Sequence, residues 1–108
     1  MKTQQIEFYV VNSRDWIVEK ISGEALCLDI PARLVVHKAI DGSGLWRVSD
    51  YDTGCSIGWS DTNKSLVISN AVAMVRTAIA KDEYAKAQAE AIERFGSSRG
   101  LRHALKKQ

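Results

Sequence analysis

Two cysteines and two histidines are the side chains of this sequence best suited to nucleophilic chemistry. A cysteine nucleophile needs a neighbouring base, so Cys27 or Cys55 would have to meet His37 or His103. His37 falls in a strand-like run, where a lone histidine more often packs than reacts. The cysteines lie far apart in the chain, unlike the closely spaced ligand pairs of a zinc site. We expect two packed thiols and no catalytic residue, and a small enzyme using His37 or Cys55 remains an alternative.

Three aspartates, Asp50, Asp52 and Asp61, occur in the segment WRVSDYDTGCSIGWSD, which runs from Trp46 to Asp61. Carboxylates this close could bind a metal ion or act in acid–base catalysis, but the ligand spacing of an EF-hand loop is absent. The sequence also has no Gly-rich phosphate loop ahead of a helix. Asp52 can bond its own backbone and Gly54 can adopt a positive φ, so we interpret the segment first as a β-hairpin. We predict no metal and no cofactor.

Exposed aromatic residues are the second source of candidate sites, because tryptophan, tyrosine and arginine dominate binding hot spots. Trp46 alternates with Val48 and is predicted to belong to the core, together with Ile57. Other aromatics are placed at strand ends or in the turn, where side chains project into solvent. The alternative is that Tyr51 folds back over Trp46 and Asp52 only makes the turn. The predicted binding residues are Trp16, Tyr51, Asp52, Trp59, Arg99 and Arg102.

Positive charge is concentrated at the C-terminus, although the formal net charge of the 108 residues is only +2. No acidic residue follows Glu93, and residues 97–108 are predicted to form a basic, flexible tail. Such a tail could bind the phosphates of a nucleic acid, or it could be a solvated chain end. Nucleic-acid binding through Arg99 and Arg102 is therefore an alternative function.

The elements that must position these residues change in type after about sixty residues. Short runs of β-forming residues separated by turn residues come first, and a helical period of 3.6 follows. The pattern predicts an α+β domain over residues 1–96, in which an antiparallel sheet of four to five strands (about 5–60) packs against one or two C-terminal helices (about 63–81 and 82–95). Ser22 to Glu24 is expected to end the second strand.

One apolar stripe defines the first helix. Asp61 or Thr62 is predicted to be its N-cap, and Asp82 could cap a second helix, although one continuous helix through Lys81 is also compatible with the pattern. The stripe predicts a face buried on the sheet. Its central residues are Ile68, Val72, Val75 and Ile79, and it is widened by Val67, Ala71, Met74 and Ala78.

Composition points to a soluble protein, with 45% hydrophobic and 26% charged residues. No apolar run reaches the roughly 18 residues that a membrane span needs. The N-terminal segment lacks the apolar region of a signal peptide. We therefore expect a cytoplasmic protein without membrane contact, and a homodimer is possible.

The segment LVVHKAIDGSGLWRVSDYDTGCSIGWSDTNKSLVISNAV resembles small uncharacterised proteins of phages, prophages and mobile elements. The resemblance covers about a third of the chain. It implies an accessory protein without catalytic residues, in a class whose members include inhibitors of CRISPR–Cas or restriction complexes. The expected function is therefore to bind and block a host protein complex in the bacterial cytoplasm. The matching residues are Val36 and His37; Trp46, Val48 and Ser49; Thr53, Gly54 and Ile57; and Ala71.

Overall fold

The computed structural model of the chain describes residues 3–12, 17–39 and 42–95. Five strands are followed by two helices, which confirms the predicted α+β fold and shows that two helices, not one, follow the sheet. The strands form one antiparallel sheet in chain order. The elements are β1 (Thr3–Asn12), β2 (Ile17–Leu26), β3 (Leu34–Lys38), β4 (Trp46–Asp50), β5 (Ser56–Asp61), α1 (Lys64–Ala80) and α2 (Tyr84–Phe95).

The second strand is longer than the sequence pattern predicts. Ser22 to Glu24 does not end β2, and the strand continues through these residues to Leu26. The reason is the ladder with β1, which pairs without a break from Thr3↔Leu26 to Asn12↔Ile17. A complete set of cross-strand hydrogen bonds outweighs the turn preference of three residues.

The sheet is curled so strongly that its first strand meets the turn between β4 and β5. In a flat sheet β1 and β4 would be three strand spacings apart, about 14 Å. In this fold a Cβ atom on Gly54 would lie 2.5 Å from the carbonyl oxygen of Tyr9 and 3.2 Å from the Cα of Val10. The β1–β2 hairpin therefore folds across the face of the sheet opposite α1.

The curl creates two clusters of buried side chains, one on each face of β3. Neighbouring residues of a strand point to opposite faces, so Val36 packs under α1 while Val35 packs under the β1–β2 hairpin. Burial on both faces explains the uninterrupted apolar run that begins β3. The α1 cluster contains Leu26, Leu34, Val36, Val48, Val67, Ala71 and Val75, and the hairpin cluster contains Phe8, Val10 and Val35.

The buried face of α1 lies about one residue from the predicted centre. Val67, Ala71 and Val75 are the fully buried positions, whereas Ile68, Val72 and Ile79 are half-buried at the edge of the same core. Met74, which the pattern places on the widened face, is 49% exposed. Val67, Ala71 and Val75 are spaced at i, i+4 and i+8, so they form one row that points directly at the sheet.

Both ends of α1 differ from the predicted capping. Asn63 is the N-cap, and its side-chain oxygen accepts the Leu66 N–H at 3.1 Å, while the Asp61 carboxylate accepts the Asn63 N–H at 2.8 Å. At the other end Asp82 has a φ of 57° and closes α1 instead of opening α2. Its N–H donates to the carbonyl of Ile79, as expected for a residue just past a helix C-terminus. Neither described helix is long and apolar enough to cross a membrane.

Candidate functional site

A cleft of about 490 Å³ opens where β2 and β3 separate. The two strands pair only at Glu24↔Val36 and Ala25↔Val35. The same register, continued, would place Ile21 to Gly23 opposite His37 to Ala39, and these two stretches form opposite walls of the opening. We call it the split-ladder cleft; its walls are Ile21–Glu24 and Val36–Ala39, and Gln5, Trp46 and Lys64 complete it.

Gly23 is the first residue of β2 beyond its last pair with β3. A Cβ atom there would lie 2.6 Å from Cγ1 of Val35 and 3.0 Å from the carbonyl oxygen of Val36. Only glycine permits this close crossing without displacing β3. Gly23 therefore lets β2 stay in close contact with β3 at the inner end of the cleft, and the strands separate beyond it.

Positive charge collects around the indole of Trp46 at one end of the cleft. The ammonium groups of Lys38 and Lys64 lie 4.1 Å and 4.7 Å from the centre of the Trp46 ring, within cation–π range. Lys64 also forms an ion pair with Glu24, and Lys38 donates to the Gly44 carbonyl at 3.0 Å. Trp46 is half-buried at the edge of the α1 cluster, so the prediction of a core residue holds only for part of its ring.

His37 lies at the back of the cleft with both ring nitrogens engaged. Nδ1 is 2.8 Å from the carbonyl oxygen of Lys38, which only accepts, so Nδ1 carries the proton. Nε2 then accepts the Ser49 hydroxyl at 2.7 Å. Burial lowers the pKa of His37, and the bond to the Lys38 carbonyl opposes this effect only in part, so the ring is neutral at pH 7. The predicted role of a packed histidine agrees with this geometry.

The turn between β4 and β5 directs its polar groups inward. Tyr51 stacks on Phe8, with ring centres 6.1 Å apart, and the Arg33 guanidinium lies 4.9 Å from the centre of the Tyr51 ring. Arg33 also pairs with the Asp52 carboxylate, an interaction that raises the pKa of Arg33. Tyr51 and Asp52 are thus half-buried and engaged within the chain, in contrast to the predicted projection of turn side chains into solvent. Tyr51 covers Phe8 and not Trp46.

Asp50, and not the predicted Asp52, makes the turn. One carboxylate oxygen of Asp50 accepts the Thr53 N–H at 2.9 Å, and its carbonyl accepts the Gly54 N–H at 2.8 Å. Its other oxygen accepts the Tyr84 hydroxyl at 2.7 Å and the Gln88 amide at 3.0 Å, which fastens α2 to the sheet. Burial, and next the bond to Asp50, raise the pKa of the Tyr84 phenol. The sequence signal for this role is an aspartate three residues before Thr53 and four before Gly54.

Exposed apolar residues lie along the contact between α1 and β5. Trp59 is 44% exposed, and Leu66 and Met74 are exposed to a similar degree. Leu66 and Met74 share one row of α1, since they are eight residues apart, and the Met74 sulfur lies beside Gly58, the residue before Trp59. We call Trp59, Leu66 and Met74 the seam surface.

The seam surface borders an irregular part of β5. From Trp46 to Val48 of β4, the partner residues in β5 run from Asp61 to Ile57, so β5 carries extra residues opposite Arg47. Trp59 lies within this irregular stretch, where the simple alternation of a regular strand does not apply. Ile57 itself is half-buried against the α1 cluster, and Val48 is fully buried, as predicted.

The remaining predicted residues are not brought together by the described part of the chain. Trp16, Arg99 and Arg102, and the basic tail to which the two arginines belong, lie outside the described residues, as does His103. Cys27 is exposed and Cys55 is half-buried, so the prediction of two packed thiols is wrong for Cys27. Within residues 3–12, 17–39 and 42–95, no three His, Cys, Asp or Glu side chains are placed to share a metal ion.

Comparison of the chain with protein-family models, with curated proteins and with solved structures finds no match.

Proposed function

We propose that this protein is a non-enzymatic binding protein that engages the apolar surface of a folded protein partner through the seam surface. The observation that carries the proposal is the exposure of Trp59 on β5 and of Leu66 and Met74 on α1, two elements in contact, whereas most large apolar side chains with described burial are packed. Tryptophan is the residue most enriched at binding hot spots, and clustered exposed apolar side chains mark interaction sites.

The hydrogen bonds of His37 and Asp50, two groups that could act in catalysis, support a binding role. His37 is buried with both nitrogens bonded to neighbours in the sheet, and Asp50 is buried under three hydrogen-bond donors. Groups engaged in this way hold the sheet and α2 together. Trp59, by contrast, leaves almost half of its surface open to solvent.

A capture experiment with a matched control tests the proposal. Tagged wild type, Trp59→Ser and Ala73→Ser are incubated with a bacterial lysate, and the retained proteins are identified and then purified. Ala73 is exposed on α1 outside the seam surface, so its variant controls for a changed helix surface. We expect a partner that wild type and Ala73→Ser retain and that Trp59→Ser binds at least tenfold more weakly, about 1.4 kcal/mol. Equal retention by all three proteins would refute the seam surface as the binding site.

The resemblance to phage and mobile-element proteins gives the proposal a sharper form, in which the partner is a bacterial immunity complex such as a CRISPR–Cas or restriction assembly. Phage plaques are counted on bacteria that carry an active system and express either the wild type or Trp59→Ser. We expect plaque numbers to rise with the wild type and to stay low with the variant. Equal plaque numbers with and without the wild type would argue against inhibition of that system.

A further inference from the structure

The split-ladder cleft exposes a β-strand edge to an incoming ligand. The Ala39 N–H donates to the Leu45 carbonyl at 2.8 Å on the side of β4, so alternation directs the backbone groups of Lys38 towards β2. The register would pair Lys38 with Ser22, but the ladder ends one hydrogen-bonded position earlier, at Glu24↔Val36. The main chain of Lys38 therefore faces the cleft.

His37 satisfies one of the two backbone groups of Lys38 that β2 leaves unpaired. Its Nδ1–H donates to the carbonyl of Lys38, the group that Ser22 would have satisfied in a continued ladder. The Lys38 N–H still points into the opening between the strands. A peptide bond arriving in the cleft can accept from this N–H, which is the basis of recognition by strand addition.

The side chains around this edge favour a negatively charged ligand. Two lysines and one glutamate line the cleft, so its formal charge is positive while His37 is neutral. Lys38 has the indole of Trp46 and one backbone carbonyl as its neighbours, and these are weak partners for an ammonium group compared with a carboxylate. A carboxylate beside Trp46 would therefore be a stronger partner for the Lys38 ammonium group than either of these neighbours.

We infer that the split-ladder cleft binds a short extended segment of a partner protein that carries an Asp or Glu side chain. A backbone carbonyl of the segment accepts from the Lys38 N–H, and its carboxylate lies beside Trp46 within reach of the Lys38 ammonium group. The volume of about 490 Å³ lies within the usual range of ligand sites, roughly 300–1,000 Å³, and Ile21 and Ala39 offer apolar contacts on the two walls. This site is separate from the seam surface and does not depend on it.

Selection from a random peptide library tests the inference and does not require the partner to be identified first. Random dodecapeptides displayed on phage are selected against the wild type, and the enriched peptides are synthesised. Their affinities are measured for the wild type, Lys38→Glu and Lys86→Glu. Lys86 is an exposed lysine on α2, so its variant makes the same change of charge outside the cleft. Thermal unfolding checks each variant, and Lys38→Gln replaces Lys38→Glu if the latter does not fold.

The expected result has three parts. Enriched peptides contain Asp or Glu among β-forming residues, their affinity falls at least tenfold in Lys38→Glu but less than twofold in Lys86→Glu, and peptide addition shifts the backbone amide signals of Ser22 and Lys38. The inference is overturned if no peptide is enriched, if the enriched peptides lack acidic residues, or if Lys38→Glu binds them as the wild type does. Full displacement of the peptides by millimolar inorganic phosphate would also overturn it, because the cleft would then recognise an anion alone.

Trp59→Ser separates this inference from the proposed function. We expect the variant to bind the selected peptides with unchanged affinity, because Trp59 does not line the cleft. Loss of peptide binding in Trp59→Ser would place the peptides on the seam surface and refute the cleft as their site.

Discussion

His37 shows how a buried polar residue can be fully used by the fold around it. It is 3% exposed, its ring packs edge-on against that of Phe8 with the ring centres 5.5 Å apart, and it bonds to Ser49 and to the Lys38 carbonyl. Protonation would place a positive charge among these groups and near Arg47, which also lowers the pKa of His37. The fold therefore favours the neutral ring.

The stability of the protein should depend on pH through His37. Because the pKa of His37 is lower in the folded state than the ordinary value of 6.5, the unfolded chain binds a proton more readily. The contribution is complete above pH 6.5 and is lost as the pH falls through the lowered folded pKa. In His37→Asn, an amide N–H can still reach the Lys38 carbonyl, but the titrating group is gone. We expect the difference in unfolding free energy between the wild type and His37→Asn to shrink as the pH falls from about 7.5 to about 5.

Urea denaturation at a series of pH values measures this difference. His103→Asn makes the same change at the other histidine of the sequence, so measuring it in parallel separates the contribution of His37 from that of His103. A difference between wild type and His37→Asn that stays constant with pH would mean that His37 does not titrate between the two states.

Asp50 and Asp52 show that a sequence can predict a turn without predicting which aspartate forms it. Turn chemistry identifies the segment as a hairpin and predicts a positive φ at Gly54, which is 75°. It does not choose between Asp50 and Asp52, because both precede the same glycine. The choice depends on Tyr84 and Gln88, which are more than thirty residues away and bond to Asp50, and on Arg33, which pairs with Asp52.

At the scale of elements, α1 is held by a narrow row of small and branched side chains. Ala71 is fully buried at the centre of this row, and Ala73 is exposed on the same helix. We expect Ala71→Asp to unfold the protein or to lower its unfolding free energy by several kcal/mol, because an unpaired charge would enter an apolar core. Ala73→Asp has the same change of residue in the same helix and should cost about 0.7 kcal/mol, the difference in helix propensity between alanine and aspartate.

Thermal and urea denaturation of both variants decide this prediction, and Val72→Asp extends the series. Val72 is half-buried, so its carboxylate can reach solvent at the edge of the core, and its cost should fall between the other two. Equal costs for Ala71→Asp and Ala73→Asp would show that α1 packs on a different row.

The elements themselves are largely predictable because their signals are local. Alternation identifies the strands, and a 3.6-residue period identifies α1 within about two residues at each end. The buried row of α1 differs from the predicted one by about one position. The apolar stripe is wide, and contact with the sheet determines which of its residues are fully buried. The persistence of β2 through Ser22 to Glu24 depends on β1, a partner that local pattern does not specify.

At the scale of the whole molecule, the curl of the sheet connects the core and the cleft. β2 pairs with β1 along its whole length but with β3 at only two residues, which leaves the split-ladder cleft open and lets the β1–β2 hairpin fold over the opposite face. Phe8 can then meet His37 and Tyr51, although β1 is hydrogen-bonded to neither β3 nor β4. Strand propensities do not encode this curvature, so the sequence pattern does not predict the cleft.

Because β1 lies against the turn between β4 and β5, a side chain should be tolerated less well at Gly54 than at Gly44, which also has a positive φ. The two φ values are nearly the same, 75° and 77°, but a Cβ atom at Gly44 would meet nothing within 4 Å. Gly44→Ala should therefore cost only the strain of a left-handed alanine, about 1–2 kcal/mol. Gly54→Ala adds an overlap with the backbone of β1, and overpacking of this kind costs about 1–3 kcal/mol more.

Urea denaturation gives the unfolding free energies of the two alanine variants. Their difference reports the contact between Gly54 and β1, because the backbone strain is common to both and cancels. We expect Gly54→Ala to be the less stable variant by at least about 1 kcal/mol. Its amide signals for Phe8 to Val10 should also shift, whereas those in Gly44→Ala should not. If the two variants are equally stable and the signals of β1 stay in place, β1 does not rest against the turn, and the β1–β2 hairpin does not close over this face of the sheet.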